Sequence, residues 1–201
     1  MASRSADPTT ERSTGSVLPF GPVVAIVAGA VIAFGVLASL VFSESSLVRF
    51  DAVAHDTLFR ALGESRQGGL AVTWFGNNDT LVAFVVLTAG ALALRHRVWL
   101  ALRVLLASGV GGLVSLGLKA VFQRARPVDP VVVAEGFSFP SGHALASTVF
   151  YGMLIYLSWR LATRVSVRLA VAAVSLALII AVGLSRVYLN VHYLTDVIGG
   201  W

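Results

Sequence analysis

Residues 22–42 read PVVAIVAGAVIAFGVLASLVF, a run of 21 positions without a single charge and with one hydroxyl, Ser39. A helix crosses the hydrocarbon core of a bilayer with ~17–25 apolar residues. No core built by 201 residues buries such a run on every side. Pro22–Phe42 is therefore read as a membrane span, and the rest of the chain has to fit that beginning. The composition does: 57% of the residues are hydrophobic and 12% charged, against roughly 45–50% and about 25% in soluble domains. A soluble domain and a disordered chain are both excluded. The absence of cysteine removes disulfides, thiolate metal sites and cysteine nucleophiles.

On the N-terminal side, Met1 to Ser16 is small and polar with no apolar period. It is expected to be a disordered cytoplasmic tail, leaving 17–201 as one membrane domain. The run that follows is too long for a cleavable signal peptide and lacks its small-residue cleavage site. On the C-terminal side, Ser43 to Asp79 mixes Leu47, Val48, Phe50, Val53, Leu58, Phe59 and Leu62 with Glu44, Arg49, Asp51, Asp56, Arg60 and Glu64. That pattern predicts one or two amphipathic helices lying in the interface. Gly76-Asn77-Asn78-Asp79 marks a turn and a helix start. Further spans are expected over Thr80–Leu94, Val98–Leu118, Ala144–Trp159 and Leu169–Leu184. A sixth begins near Leu194 and is cut at Trp201. The expected fold is all-α: a polytopic membrane helix bundle of six-span layout, its sixth span truncated, with an interfacial amphipathic helix after the first span.

The formal charge of +5 does not point to nucleic acid, because the cations sit between apolar runs. Topology or an anionic lipid accounts for them better. Arg95, Arg97 and Arg103 flank one connection, Arg160, Arg164 and Arg168 another, and neither contains an acidic residue. The positive-inside rule places both in the cytoplasm. Alternation then puts the N-terminus inside and the connections around 119–143 and 185–196 outside. The unusual polar residues all fall in those two connections.

Three short motifs lie there. Lys119 ends a span, and Arg126 precedes Pro127, which biases it away from helical backbone. A point charge and a planar fork held this way suit a tetrahedral oxyanion. Phe139-Pro140-Ser141-Gly142-His143 stands just before the fourth span. Proline and serine start helices, a helix N-terminus attracts anions, and glycine lets the backbone come close to a phosphate. Ser185-Arg186 and then His192 with Asp196 make the third. At i, i+4 on a helix the last two share a face, where a carboxylate fixes the imidazole tautomer and raises the basicity of its other nitrogen. Each has a bland reading: snorkelling cations, a capped helix, a structural Asp–His hydrogen bond. Four fixed residues such as those of the second or third motif arise by chance roughly once in 800 chains of this length. All three stand in order on one expected face, and ionisable groups at membrane depth are costly. Neither the carboxylates of a magnesium site nor three zinc ligands are present. The set points to metal-free phosphate chemistry.

These motifs resemble, residue for residue, the signature of the type 2 phosphatidic acid phosphatase family of membrane lipid phosphatases, shared with bacterial acid phosphatases and vanadium haloperoxidases. The matching positions are Lys119, Arg126 and Pro127; Pro140, Ser141, Gly142 and His143; Ser185, Arg186, His192 and Asp196. The resemblance is close from the third span to the end and extends to span layout alone before it. It implies a multi-pass cell-membrane hydrolase with its site on the extracytoplasmic face, needing no cofactor and no metal. Lys119, Arg126, Arg186, Ser141 and Gly142 would hold the phosphate. His192 would attack phosphorus, oriented by Asp196, and His143 would protonate the leaving oxygen. The implied substrates are lipid phosphates: phosphatidic acid, phosphatidylglycerol phosphate or undecaprenyl diphosphate. A lipid phosphotransferase working through the same phosphohistidine, and a non-catalytic lipid-binding or transport protein, are the competing readings.

Overall fold

The computed structural model describes residues 20–43, 45–63 and 66–201. The expected tail, Met1 to Ser16, the start of the expected domain at 17, and Glu44 and Glu64 lie outside the described residues. Among those described, every regular element is a helix: α1 (Phe20–Ser43), α2 (Ser45–Leu62), α3 (Arg66–Trp74), α4 (Asn78–Leu94), α5 (Val98–Phe122), α6 (Gly142–Leu161), α7 (Val165–Tyr188) and α8 (Leu194–Gly200). The chain divides into two compact units, Met1–Val36 and Leu37–Trp201. In the first, Ile26 is 72% exposed. In the second, Leu113 is 70% and Val121 74% exposed. Large apolar side chains in such numbers on the outside belong in lipid rather than water.

Among the described residues, four helical stretches are long and apolar enough to cross a membrane: 21–43, 67–94, 98–122 and 165–188. The span expected over Thr80–Leu94 gains length because α3 continues into α4 through the tight turn at Phe75 and Gly76. Gly76 is required there. A Cβ on it would lie 2.3 Å from Val182 Cγ1, 3.0 Å from Ser147 Oγ and 3.5 Å from His143 Cδ2. The expected fourth span is α6, which falls short in apolarity for a physical reason. It packs against α4, α5, α7 and α8, so protein rather than lipid surrounds much of it and Ser147, Tyr151 and Ser158 can be buried. Where a sixth span is expected to begin, the structure has a short helix, α8, Leu194–Gly200, of seven residues.

Inside the second unit, Leu81, Val85, Leu92, Val104, Phe150, Tyr151 and Ile179 form the core between α4, α5, α6 and α7. The turn 95–97 and the connection 162–164 lie at one end of these helices. The end of α5, the start of α6, the end of α7 and α8 lie at the other. That second end holds all three motifs.

Candidate active site

The site begins where two helices end and one starts. Lys119 is in the last turn of α5 and Arg186 in the last turn of α7, so both cations complement helix C-termini. Ser141 is the residue before α6. The 123–141 connection folds back so that Lys119 Nζ donates to the Phe137 carbonyl. The fields of Arg186, His192, Arg126 and Lys119 all reach the His143 imidazole. Side chains far apart in sequence thus lie within electrostatic reach of one another.

His192 lies between α7 and α8 and is 3% exposed. Its Nδ1 faces Asp196 Oδ2 at 3.4 Å, and its Nε2 faces Arg126 Nη1 at 3.2 Å. A guanidinium only donates, so Nε2 is the acceptor and the ring proton sits on Nδ1, pointing at the carboxylate. This tautomer follows from the partners. Burial lowers the His192 pKa to about 4, against the opposing pull of its hydrogen bond to Asp196 and that carboxylate's charge. The ring is therefore neutral at pH 7, with a lone pair on Nε2.

The cations are placed around that lone pair. Arg126 reaches the carbonyls of Gly136 (3.0 Å), Glu135 (2.8 Å) and Val191 (2.8 Å), and burial pulls its pKa down. Arg186 donates to Thr73 Oγ1 at 2.7 Å, but its Nε is buried with no hydrogen-bond partner among the described residues. Ser141 Oγ is in the same condition, since it does not cap α6. Buried donors left open cost free energy unless a ligand takes them, and an anion would. The Ser141 backbone N–H donates to the Asp196 carbonyl at 2.9 Å, which ties α8 to the start of α6. Gly142 is close to Lys119: a Cβ there would lie 3.8 Å from its Cε.

Several contributors were not recognised from sequence. His143 Nε2 is 3.1 Å from Asn77 Oδ1, a residue read only as turn punctuation. Thr73 holds Arg186. Arg124 carries no signal in the sequence pattern, and Asp51 reads there only as an interruption of an amphipathic helix. Arg124 Nη1 donates to Asp196 Oδ1 at 2.5 Å and to Thr195 Oγ1 at 2.8 Å, and Nη2 to Asp51 Oδ2 at 3.0 Å. Periodicity gave a usable hint for Asp51 alone, as an acid inside an apolar stretch.

Among the described residues no group of three or more His, Cys, Asp or Glu is arranged to hold a metal ion. Cavities in the second unit include the following two. One, about 280 Å³, is apolar and runs along Phe75, Phe84, Phe150, Tyr151 and Leu178. The other, about 220 Å³, is lined by Asp51, His55, Pro127, His192 and Tyr193.

Known proteins resemble this chain in sequence and in fold. The profile of the PAP2 superfamily matches residues 97–201. Phosphatidylglycerophosphatase B of Bacillus subtilis is 33% identical over 132 residues, 65% of this chain and 65% of that protein, just under two thirds of the relative's length. The crystal structure of a transmembrane PAP2 type phosphatidylglycerolphosphate phosphatase from Bacillus subtilis superposes with a TM-score of 0.78 at 26% identity, over 86% of this chain and 87% of that one.

Proposed function

The chain belongs to the PAP2 superfamily, and from that premise we propose that it is a membrane phosphatase acting on a lipid phosphate through a phosphohistidine at His192. One observation carries this reading. A neutral, buried imidazole directs its Nε2 lone pair toward Arg126 while its Nδ1–H faces a carboxylate, beside two open buried donors, Arg186 Nε and Ser141 Oγ.

Lys119, Arg126 and Arg186 bind the nonbridging phosphate oxygens. The Nε2–P bond forms as the P–O ester bond breaks in line, and the bonding pair leaves on the ester oxygen. His143 gives that oxygen its proton, and Asp196 stabilises the cationic imidazole. Water then attacks phosphorus, losing its proton to His143. The N–P bond breaks, and inorganic phosphate departs. Phosphoryl transfer asks mainly for positioning and charge stabilisation, which three cations and a fixed imidazole supply without a metal.

The apolar cavity supports a lipid substrate. It is lined by Phe75, two positions before Asn77, which is hydrogen-bonded to His143, and its apolar walls suit an acyl chain. Phosphatidylglycerol phosphate is the first substrate to test, since the similar proteins are named for its hydrolysis. The arginines at 95, 97, 160, 164 and 168 lie at the opposite helix ends, which supports an extracytoplasmic site by the positive-inside rule.

The test is phosphate release from detergent-solubilised protein over phosphatidylglycerol phosphate, phosphatidic acid and undecaprenyl diphosphate, with EDTA in excess. Wild type should hydrolyse at least one of them with EDTA present, vanadate should inhibit, and folded His192→Ala should be inactive. Full activity in His192→Ala removes the phosphohistidine. Activity lost to EDTA and restored by magnesium removes the metal-free mechanism.

A further inference from the structure

The acidic side chain of α2 nearest the site is not at the interface, where an amphipathic helix would put it. Asp51 is 2% exposed. Its Oδ1 accepts from the Thr195 backbone N–H at 2.9 Å, and its Oδ2 from Thr195 Oγ1 at 2.8 Å and Arg124 Nη2 at 3.0 Å. Arg124 in turn grips Asp196 Oδ1 and lies over the Tyr193 ring, 4.1 Å from its centroid. With Oδ1 so fixed, Asp196 Oδ2 is left to the Tyr193 N–H at 2.9 Å and to His192 Nδ1.

We propose that Asp51 and Arg124 are a positioning pair, which holds the Asp196 carboxylate ionised and aimed so that His192 keeps its proton on Nδ1 and its lone pair on Nε2. Neither touches the phosphate, so neither is a catalytic residue. The inference rests on the phosphohistidine reading for its meaning in turnover, but the geometry can be tested without turnover.

Charge explains why both members are needed. Two buried carboxylates, Asp51 and Asp196, meet at one guanidinium. Without Arg124 they would repel, and one would take a proton. Without Asp51, the whole charge of Arg124 would fall on Asp196 and cancel the field that should stabilise a cationic His192. With both, the cluster keeps one net negative charge beside the imidazole. Around that ring the other charged or titratable groups are Lys119 from α5, Arg126 from the following connection, His143 from α6, Arg186 from α7, and His55 and Asp56 from α2.

The variants are Asp51→Asn, Arg124→Gln and the double variant. Removing one member of a buried pair can unfold a protein where removing both does not, so the double variant keeps the test open. Two readouts are taken at pH 7 on samples whose melting transition shows them folded. The first is kcat and KM for phosphate release. Each single variant should lose about 10- to 100-fold in kcat, as second-layer partners of a functional histidine do, with KM within about threefold. Because the two act as a unit, the double variant should lose no more than Arg124→Gln. The second is the ring ¹⁵N shift of His192 in histidine-labelled protein, which distinguishes Nδ1–H from Nε2–H. Wild type should be the Nδ1–H form, and Arg124→Gln a mixture or the Nε2–H form. A lowered melting midpoint with unchanged kcat and tautomer would make the pair merely structural and overturn the proposal. So would losses that multiply in the double variant. If wild type releases no phosphate from any lipid, the phosphatase reading fails, and the tautomer result alone decides the positioning role.

Discussion

Replacing Asp196 by asparagine changes one atom and should remove most of the activity, because the two carboxylate oxygens have different partners. Oδ1 accepts from Arg124 Nη1 at 2.5 Å. Oδ2 accepts from the Tyr193 N–H at 2.9 Å and faces His192 Nδ1 at 3.4 Å. An amide has one acceptor end. The guanidinium is the stronger donor, so the amide oxygen goes to Arg124 and the NH2 group takes the place of Oδ2. It then donates to His192 Nδ1, the ring proton moves to Nε2, and the atom that should attack phosphorus points an N–H at Arg126. The negative charge that would stabilise a cationic imidazole is lost as well. Reversing a tautomer in this manner costs about 10⁴-fold in kcat in serine proteases, or about 5.5 kcal/mol of barrier. Lys119, Arg126 and Arg186 are untouched, so KM should stay within about threefold. The assay is initial rates of phosphate release against lipid phosphate concentration, alongside a thermal melt. Asp196→Ala sharpens it: with no amide to force the wrong tautomer, it should be at least as active as Asp196→Asn. Folded Asp196→Asn turning over within threefold of wild type would refute the reasoning, and so would an alanine variant clearly worse than the asparagine one.

The pKa of His192, lowered to about 4 by burial, gives two pH effects. Protonation removes the Nε2 lone pair, so kcat/KM should fall by about tenfold per unit below pH 4, and a profile with its acid limb near 6.5 would contradict this. The unfolded chain takes that proton near the ordinary 6.5. Stability from the neutral ring is therefore full above 6.5 and drains as pH falls toward 4. Between pH 7 and 4.5 the melting midpoint of wild type should drop further than that of His192→Gln. Gly200→Ala would set a Cβ 2.7 Å from the Ser141 carbonyl oxygen and 3.1 Å from the Leu145 nitrogen, backbone atoms that cannot swing aside. It should cost about 1–3 kcal/mol of stability and lower kcat by shifting α8. Gly117→Ala, inside helix α5 with nothing within 4 Å, should leave kcat unchanged and hold or raise stability, since alanine is the better helix former.

Spans were legible because a bilayer imposes its requirement residue by residue. The runs around Pro22–Phe42, Val98–Leu118 and Leu169–Leu184 became α1, α5 and α7, each a few residues longer than its apolar centre. Legibility fell where neighbours replaced lipid. α6 carries Ser147, Tyr151 and Ser158 inward because four helices surround it, and composition alone cannot say what surrounds a helix. The amphipathic stretch after α1 was visible as a pattern, but the pattern could not tell an acid facing water from one facing inward. Asp51 pairs with Arg124 across 73 positions, a distance no local period reports. The signature residues are a different case, since their spacing carried the chemistry. Lys119, Arg126, His143, Arg186, His192 and Asp196 come to one end of the second unit because the helices run antiparallel and deliver each segment there.

Arg126 was recognised and Arg124 was not, although they stand two residues apart, because they serve opposite sides of the same imidazole. Arg126 faces Nε2 and the carbonyls of Gly136 and Val191. Arg124 reaches Nδ1 only through Asp196. The backbone between them is pinned at the Arg124 carbonyl, which accepts the Ser138 N–H at 2.8 Å, and at the Ala125 carbonyl, which accepts Ser138 Oγ at 3.0 Å. Ser138 is fully buried and fixes the register of both arginines at once. The phosphate-facing charge and the carboxylate-facing charge therefore cannot be adjusted independently. A one-residue slip in 123–126 would take a cation from each ring nitrogen together, which is why the spacing from Lys119 to Pro127 is a constraint on His192 as much as on the phosphate.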